Sequence, residues 1–160
     1  MEYNLSDIRR EYASRSLSKE DVEADPIHQF AQWLDEAIDS KIPDPSAMVL
    51  STANENNKVS SRIVLLKEIQ KTGFLFYTNY SSQKASDLAE NPQAALLFYW
   101  SELERQVRAE GSVEKLPQEI SDKYFASRPE ESKLGAWASD QSSEIPNRQY
   151  LEKRLKTFKD

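Results

Sequence analysis

The sequence predicts an α+β domain built mainly from antiparallel β-strands, with helices packed around them. Five short runs with a strand-like pattern, some rich in β-branched and aromatic residues and the last alternating polar with small or apolar ones, lie between residues 47 and 113. Helical periodicity is found before these runs, in one interval between them, and in the last third of the chain. Strands in succession with helices added at the flanks are typical of an α+β or barrel arrangement.

Composition limits the classes of protein to which the chain can belong. Its 160 residues include 21 basic and 27 acidic side chains, a formal net charge of −6, one histidine and no cysteine. Negative charge repels polyanions, so we expect no nucleic-acid partner, and a single histidine without cysteine predicts no metal site. No apolar run approaches the roughly 20 residues that span a bilayer, so we expect no membrane partner and a cytoplasmic location.

The N-terminal part divides into an arm and a helix. Residues 1–24 are polar and predict an arm, and the main domain is placed at 25–160. Asp25 and Pro26 are typical of a helix start, as the N-cap and the first helical residue. Apolar residues continue at helical spacing as far as Ile38, and His28 lies off that face, where we expect a surface histidine.

The remaining elements follow from local patterns. The predicted strands, of which the first two form a hairpin around an Asn-rich turn, cover residues 47–52, 59–67, 73–78, 94–100 and 105–113. The further helices, bounded by Pro, Ser, Asp or Asn, are predicted at 82–90, 117–127, 130–139 and 146–158.

The second strand carries a cation at each end of an apolar run. Strand side chains alternate between faces, so Arg62 and Lys67 should point to opposite sides of the sheet. A buried cation needs an anionic partner, because leaving a desolvated charge unpaired is costly. The pattern therefore predicts either two separate anion-binding positions or two side chains that reach water at the strand ends.

Two other segments could bind phosphate. Residues 78–84 join a strand to a helix whose N-terminus offers free N–H groups, and Lys84 lies in its first turn. Tyr124, Arg128 and Ser132 recur every four residues, a spacing that places Tyr124 and Arg128 on one helix face. Each segment also fits a simpler interpretation, a capped surface helix in the first case and an exposed helix face in the second. Only three glycines are present, so a glycine-rich phosphate loop is excluded.

Seven segments in register resemble the pyridoxamine 5'-phosphate oxidase family. They lie at residues 9–12, 44–48, 62–67, 76–79, 103–107, 124–129 and 135–143. The resemblance implies an FMN-binding split β-barrel with surrounding helices, in a homodimer that holds the flavin at its interface. It also implies oxidation of pyridoxamine or pyridoxine 5'-phosphate to pyridoxal 5'-phosphate, with dioxygen as the electron acceptor.

The same resemblance assigns the site residues. FMN contacts, with the phosphate between the two cations, are implied for Arg62, Ile63, Val64, Leu65, Tyr77, Thr78, Gln83, Lys84, Gln106, Gln141 and Ser142. Substrate contacts are implied for Arg9, Arg10, Glu11, Tyr12, Lys67, Tyr124, Arg128 and Ser132. Because the flavin carries the redox chemistry, no catalytic side chain is assigned.

Two departures from the family pattern modify these expectations. Gln83 stands where the family usually has a second cation beside Lys84, which should weaken FMN binding by roughly 1.5 to 3 kcal/mol. The chain also ends in a predicted helix, without the later strands that the family uses at the flavin and substrate, so we expect a shortened form. The alternatives are a non-catalytic FMN- or pyridoxal-phosphate-binding module, an inert barrel, and a flavin reductase, against which the substrate-phosphate residues argue.

Overall fold

The structure is a computed structural model that describes residues 16–159. The predicted arm residues Arg9, Arg10, Glu11 and Tyr12 lie outside the described residues, so their assignment to the substrate stays a prediction. The division into an arm at 1–24 and a domain at 25–160 stays a prediction as well.

The strands of the described part form two antiparallel sheets. In chain order they are β1 Ala47–Ala53, β2 Val59–Leu65, β3 Glu68–Gln70, β4 Gly73–Leu75, β5 Gln93–Trp100 and β6 Arg105–Ser112. The larger sheet has the order β2-β1-β5-β6, and β3 pairs with β4. The predicted hairpin is present as β1 and β2, and β3 is a strand that the sequence pattern did not predict. The predicted α+β, mainly antiparallel fold is confirmed.

The helices of the described part match the predicted segments to within two residues at each end. They are α1 Pro26–Asp39, α2 Gln83–Glu90, α3 Gln118–Ser127, α4 Glu130–Ala138 and α5 Arg148–Thr157. At the start of α1 the Asp25 carboxylate accepts a hydrogen bond from the N–H of Ile27 at 2.8 Å, as predicted for an N-cap. Ile38 departs from the predicted apolar face and is 51% exposed, because it lies at the edge of that face. No described helix combines the length and the apolar character needed to cross a membrane.

The core lies between α1 and the inner face of the larger sheet. The ring of Phe30 lies 4.7 Å, centroid to centroid, from the rings of Phe74 and of Phe98. Trp100 is buried beside them, and its indole N–H donates to the carbonyl of Pro45 at 2.9 Å. Burial of each large aromatic side chain stabilises the fold by roughly 2 to 3 kcal/mol. This cluster therefore holds α1 and both sheets together.

The chain changes sheets at the end of β2. The N–H of Leu66 donates to the carbonyl of Ser46, and the N–H of Lys67 donates to the carbonyl of Leu75 in β4, both at 2.8 Å. Pairing thus passes from β1 to the β3–β4 ribbon between two neighbouring residues. The second predicted strand ends early for this reason, which is a tertiary effect that local periodicity does not report. The third predicted strand also ends early, at Leu75.

Side chains from Arg62 in β2 to Lys67 just beyond it alternate as predicted. The inward-facing set is half-buried or buried and consists of Arg62, Val64 and Leu66, whereas the exposed set consists of Ile63, Leu65 and Lys67. The two cations therefore serve different sides of the sheet. Lys67 reaches water, but Arg62 is turned toward the protein interior.

Candidate functional site

A lysine is buried at the N-terminal end of α2. Lys84 is 7% exposed, and its Nζ donates to the hydroxyl of Ser82 at 3.2 Å and to the amide oxygen of Gln141 at 2.8 Å. Both of these partners are neutral groups. Burial lowers the pKa of Lys84, and the positive charge of Arg62 lowers that pKa further. An anion placed here would relieve both effects.

The loop before α2 leaves the first turn of the helix without a side-chain cap. Asn79 makes a tight turn, in which its side-chain oxygen accepts from the N–H of Ser81 and its carbonyl accepts from the hydroxyl of Ser82. Ser82 is fully buried, and its side chain does not cap the helix. Uncapped N–H groups at a helix start, together with the helix dipole, favour a bound anion.

Arg62 extends from β2 toward the same helix and is held by three hydrogen bonds. Its Nη1 donates to the carbonyl of Leu50 at 3.1 Å and to the hydroxyl of Thr52 at 2.8 Å. Its Nη2 donates to the hydroxyl of Ser60. A guanidinium has five N–H groups, so within the described residues these bonds leave two for a ligand.

Asp87 lies behind Arg62 and is 2% exposed. Its Oδ2 accepts from the hydroxyls of Thr52 at 2.7 Å and Ser60 at 3.0 Å, and its Oδ1 accepts from the Gln83 amide at 2.8 Å. Burial alone would raise the pKa of Asp87, but these hydrogen bonds and the charge of Arg62 outweigh it and hold the pKa below its ordinary value. The carboxylate is therefore ionised over the neutral pH range.

An aromatic stack links the segment that follows β4 to α3. The rings of Tyr77 and Tyr124 are parallel, with an interplanar angle of 1° and centroids 3.6 Å apart. Burial raises the pKa of Tyr77, and the charges of Glu68 and Tyr124 raise it further. The stack brings together one residue expected at the cofactor and one expected at the substrate.

Comparison with known proteins decides the family. The family model described as pyridoxamine 5'-phosphate oxidase matches residues 34–160. The chain belongs to the pyridoxamine 5'-phosphate oxidase family. The pyridoxine/pyridoxamine 5'-phosphate oxidase of Cupriavidus pinatubonensis is 54% identical, over 97% of this chain and 73% of the relative. The protein of the same name from Trichormus variabilis is 47% identical, over 99% of this chain and 74% of the relative.

Solved structures share the fold of this family member. PhzG from Burkholderia lata 383, in complex with tetrahydrophenazine-1-carboxylic acid, has a TM-score of 0.84 and 28% identity, covering 89% of this chain and 71% of that chain. A pyridoxamine 5'-phosphate oxidase-related, FMN-binding protein from Nostoc punctiforme has a TM-score of 0.64 and 15% identity, covering 82% of this chain and 73% of that chain. The predicted split-barrel fold class is confirmed, and the described strands form two sheets rather than a closed barrel.

The residues expected to contact the substrate lie around the α3–α4 corner and at Lys67. Tyr124 belongs to α3 and Ser132 to α4, both half-buried, whereas Arg128 lies between the two helices with an extended backbone. The four-residue spacing therefore does not place Tyr124 and Arg128 on one helix face. The cause is Pro129, since a residue before proline is pushed out of the helical region.

Other residues assigned by the family pattern lie apart from the buried cations. Ile63, Leu65 and Gln106 are exposed on the outer face of the larger sheet, opposite the face that holds Arg62. Ser142 is exposed next to Gln141 and has a φ of 69°, in the left-handed region. The residues expected to contact FMN are thus distributed over an inner corner and an outer face of the chain.

Sequence reasoning missed the polar residues that surround Arg62. Thr52 and Ser60 lie on neighbouring strands and Asp87 lies on α2, so no local motif joins them. One signal was available for Thr52, because it alternates with Met48 and Leu50 and so falls on a buried strand face. A hydroxyl at such a position needs a hydrogen-bonding partner.

The residues present fit the phosphate of a flavin nucleotide. Arg62 and Lys84 supply two cations, and the first turn of α2 supplies N–H groups. Lys84 is the residue that decides this fit, because it is buried and bonded to neutral groups. A phosphate would give it the charged partner that a buried ammonium requires.

Proposed function

We propose that the protein binds FMN with its phosphate between Arg62 and Lys84, at the N-terminus of α2. The observation that carries this proposal is the buried Lys84, which has two neutral partners and a second cation close by. The family to which the chain belongs supports FMN as the anion. On binding, Lys84 would exchange Gln141 for the phosphate and leave that amide free for the flavin ring.

We further propose that the protein oxidises pyridoxamine or pyridoxine 5'-phosphate to pyridoxal 5'-phosphate, with dioxygen as the final acceptor. Bound FMN supplies the hydride acceptor for this reaction. The chain's own residues bind and orient the substrate, whose phosphate would lie near Lys67, Tyr124, Arg128 and Ser132. The Tyr77–Tyr124 stack supports this arrangement, because it joins the flavin side of the site to the substrate side.

A homodimer is the third part of the proposal. The outer face of β2 and β5 exposes apolar side chains, among them Ile63 at 67% and Tyr99 at 58%. Exposed apolar patches of this kind are typical of protein interfaces, and most soluble oligomers are symmetric dimers. A second copy on this face would also cover Leu65 and the expected FMN contacts of β2. Light scattering would test this, with Ile63→Glu expected to shift a dimer to a monomer.

The alternative is a non-catalytic FMN- or pyridoxal-phosphate-binding module. It is kept because the chain spans about 73% of the length of the Cupriavidus relative, so the relative's activity is a proposal for this chain.

Visible spectra of the protein with FMN, recorded under anaerobic conditions before and after adding pyridoxine 5'-phosphate, separate the two. Bleaching of the flavin band supports oxidation. Bound but unbleached flavin supports the module, and unbound flavin contradicts both.

A further inference from the structure

Asp87 is a buried ionised group to which neither the family pattern nor the proposed reaction gives a role. It belongs to the same helix as Lys84 but contacts the other cation of the site, since its Oδ2 lies 3.8 Å from Nη2 of Arg62. That distance is too long for a direct hydrogen bond. Any influence of Asp87 on Arg62 must therefore pass through the groups between them or through charge.

Two hydroxyls lie between Asp87 and the guanidinium. Each hydroxyl has one proton, and an ionised carboxylate can only accept hydrogen bonds. Thr52 and Ser60 both donate that proton to Oδ2 of Asp87, at 2.7 and 3.0 Å. Their lone pairs are consequently left to accept from Nη1 and Nη2 of Arg62. Asp87 thus fixes the hydroxyl protons of both side chains that accept from Arg62, and keeps their lone pairs turned toward the guanidinium.

We infer that Asp87 is a positioning residue that acts through Thr52 and Ser60 to hold the Arg62 guanidinium for a phosphate monoester. This inference rests on the proposed FMN site. Because the carboxylate engages Arg62 through two hydroxyls, it orients the guanidinium and leaves two of its N–H groups to the ligand. A direct two-point carboxylate–guanidinium pair would have used them up.

The sign of the effect separates positioning from plain electrostatics. Removal of a negative charge close to a bound phosphate would by itself tighten the binding of that phosphate. If Asp87 positions Arg62, its removal instead weakens binding, since the hydroxyls can then rotate and no longer hold their lone pairs toward the guanidinium. A merely structural role would weaken any flavin to the same degree, whether or not the flavin carries a phosphate.

The test compares FMN with riboflavin, which lacks the phosphate. Dissociation constants are measured by quenching of flavin fluorescence for the unaltered protein, Asp87→Ala, Asp87→Asn and the control Glu90→Gln. Glu90 lies on the same helix, is exposed and contacts neither cation. We expect Asp87→Ala to raise the Kd for FMN about tenfold, the loss typical of one charge-assisted hydrogen bond, and to change the Kd for riboflavin less than about twofold. Asp87→Asn, which keeps the shape, should lie between, and Glu90→Gln should match the unaltered protein.

A double variant tests the route through the hydroxyl. If Thr52 relays the effect, Thr52→Val combined with Asp87→Ala should cost no more FMN affinity than Asp87→Ala alone, whereas independent effects would multiply. Multiplying effects overturn the relay. Equal losses for FMN and riboflavin, or an unchanged or tighter Kd for FMN, overturn the positioning role. Equal affinity of the unaltered protein for both flavins contradicts the phosphate site itself, and with it this inference.

Discussion

Arg62, within β2, and Lys67, two residues beyond its end, show how differently one short stretch of chain can present a cation. Arg62 is held by three hydrogen bonds and a buried carboxylate, whereas Lys67, a few residues further on, is exposed. Under the proposed function, Arg62 belongs to a preformed site for a ligand that stays bound. Lys67 would then bind a ligand that arrives and leaves. Both side chains carry a positive charge. What distinguishes them is burial and the hydrogen bonds that Arg62 already makes within the protein.

The largest expected effect comes from Arg62→Ala. It removes a phosphate contact and also leaves Asp87 buried without its cation, which destabilises the fold by roughly 3 kcal/mol. We expect the Kd for FMN to rise about a hundredfold, measured by fluorescence titration, and the free energy of unfolding to fall in urea. An Arg62→Ala protein with unchanged stability would show that the buried network is not formed in solution.

Lys84 should make the affinity for FMN fall at alkaline pH. Burial and Arg62 lower its pKa from the ordinary 10.5, and a bound phosphate would raise it again. The free protein therefore loses the ammonium charge as pH rises through this lowered pKa, and FMN affinity should fall there, before an ordinary lysine titrates.

Titration of Kd against pH would show the fall, which we expect to reach about tenfold. Lys84→Met removes the charge at every pH, so its Kd should be raised but flat over the same range. A pH dependence that persists in Lys84→Met would assign the effect to another group.

Lys67→Ala sharpens the comparison from the exposed cation beyond the end of β2. We expect the KM for pyridoxine 5'-phosphate to rise about tenfold, because one charged contact to the substrate phosphate is lost. The Kd for FMN should stay within about twofold of the unaltered value. If steady-state kinetics and titration show that both Arg62→Ala and Lys67→Ala act only on FMN, the two cations do not serve separate ligands.

Gln83→Arg should have the smallest effect, and in the opposite direction. Gln83 is exposed and its amide is bonded to Asp87, so an arginine here can reach the phosphate from the solvent side. We expect FMN to bind about threefold more tightly, which is less than a buried cation would give because water screens an exposed charge. Gln83→Met is the matched control, since it adds length without charge and should not tighten binding.

Local chemistry predicted most of the fold. Asp25 and Pro26 determine where α1 begins, and alternation in β2 assigned Arg62 and Lys67 to opposite faces. The prediction failed where the chain changes partners at Leu66, since a strand that continues in a new sheet has the same local pattern as one that stays.

The candidate site was less accessible from the sequence alone. Lys84 and Gln141 meet across 57 residues, so only the family resemblance could pair them. Asp87 carried no family assignment, and its bonds to Thr52 and Ser60 join three separate elements. Polar networks of this kind depend on tertiary geometry, which periodicity and spacing do not contain.

The change of sheet at the end of β2 restricts how this sequence can vary in length. A residue inserted between Arg62 and Lys67 would reverse the facing of every later side chain up to the corner, because strand side chains alternate with period two. It would either turn Arg62 out to water or turn Lys67 into the core. The β1–β2 turn around Asn56 has no such constraint, as it is exposed and precedes both cations. Insertions should therefore be tolerated in the turn and rejected in the six residues at 62–67, whatever amino acids those residues are.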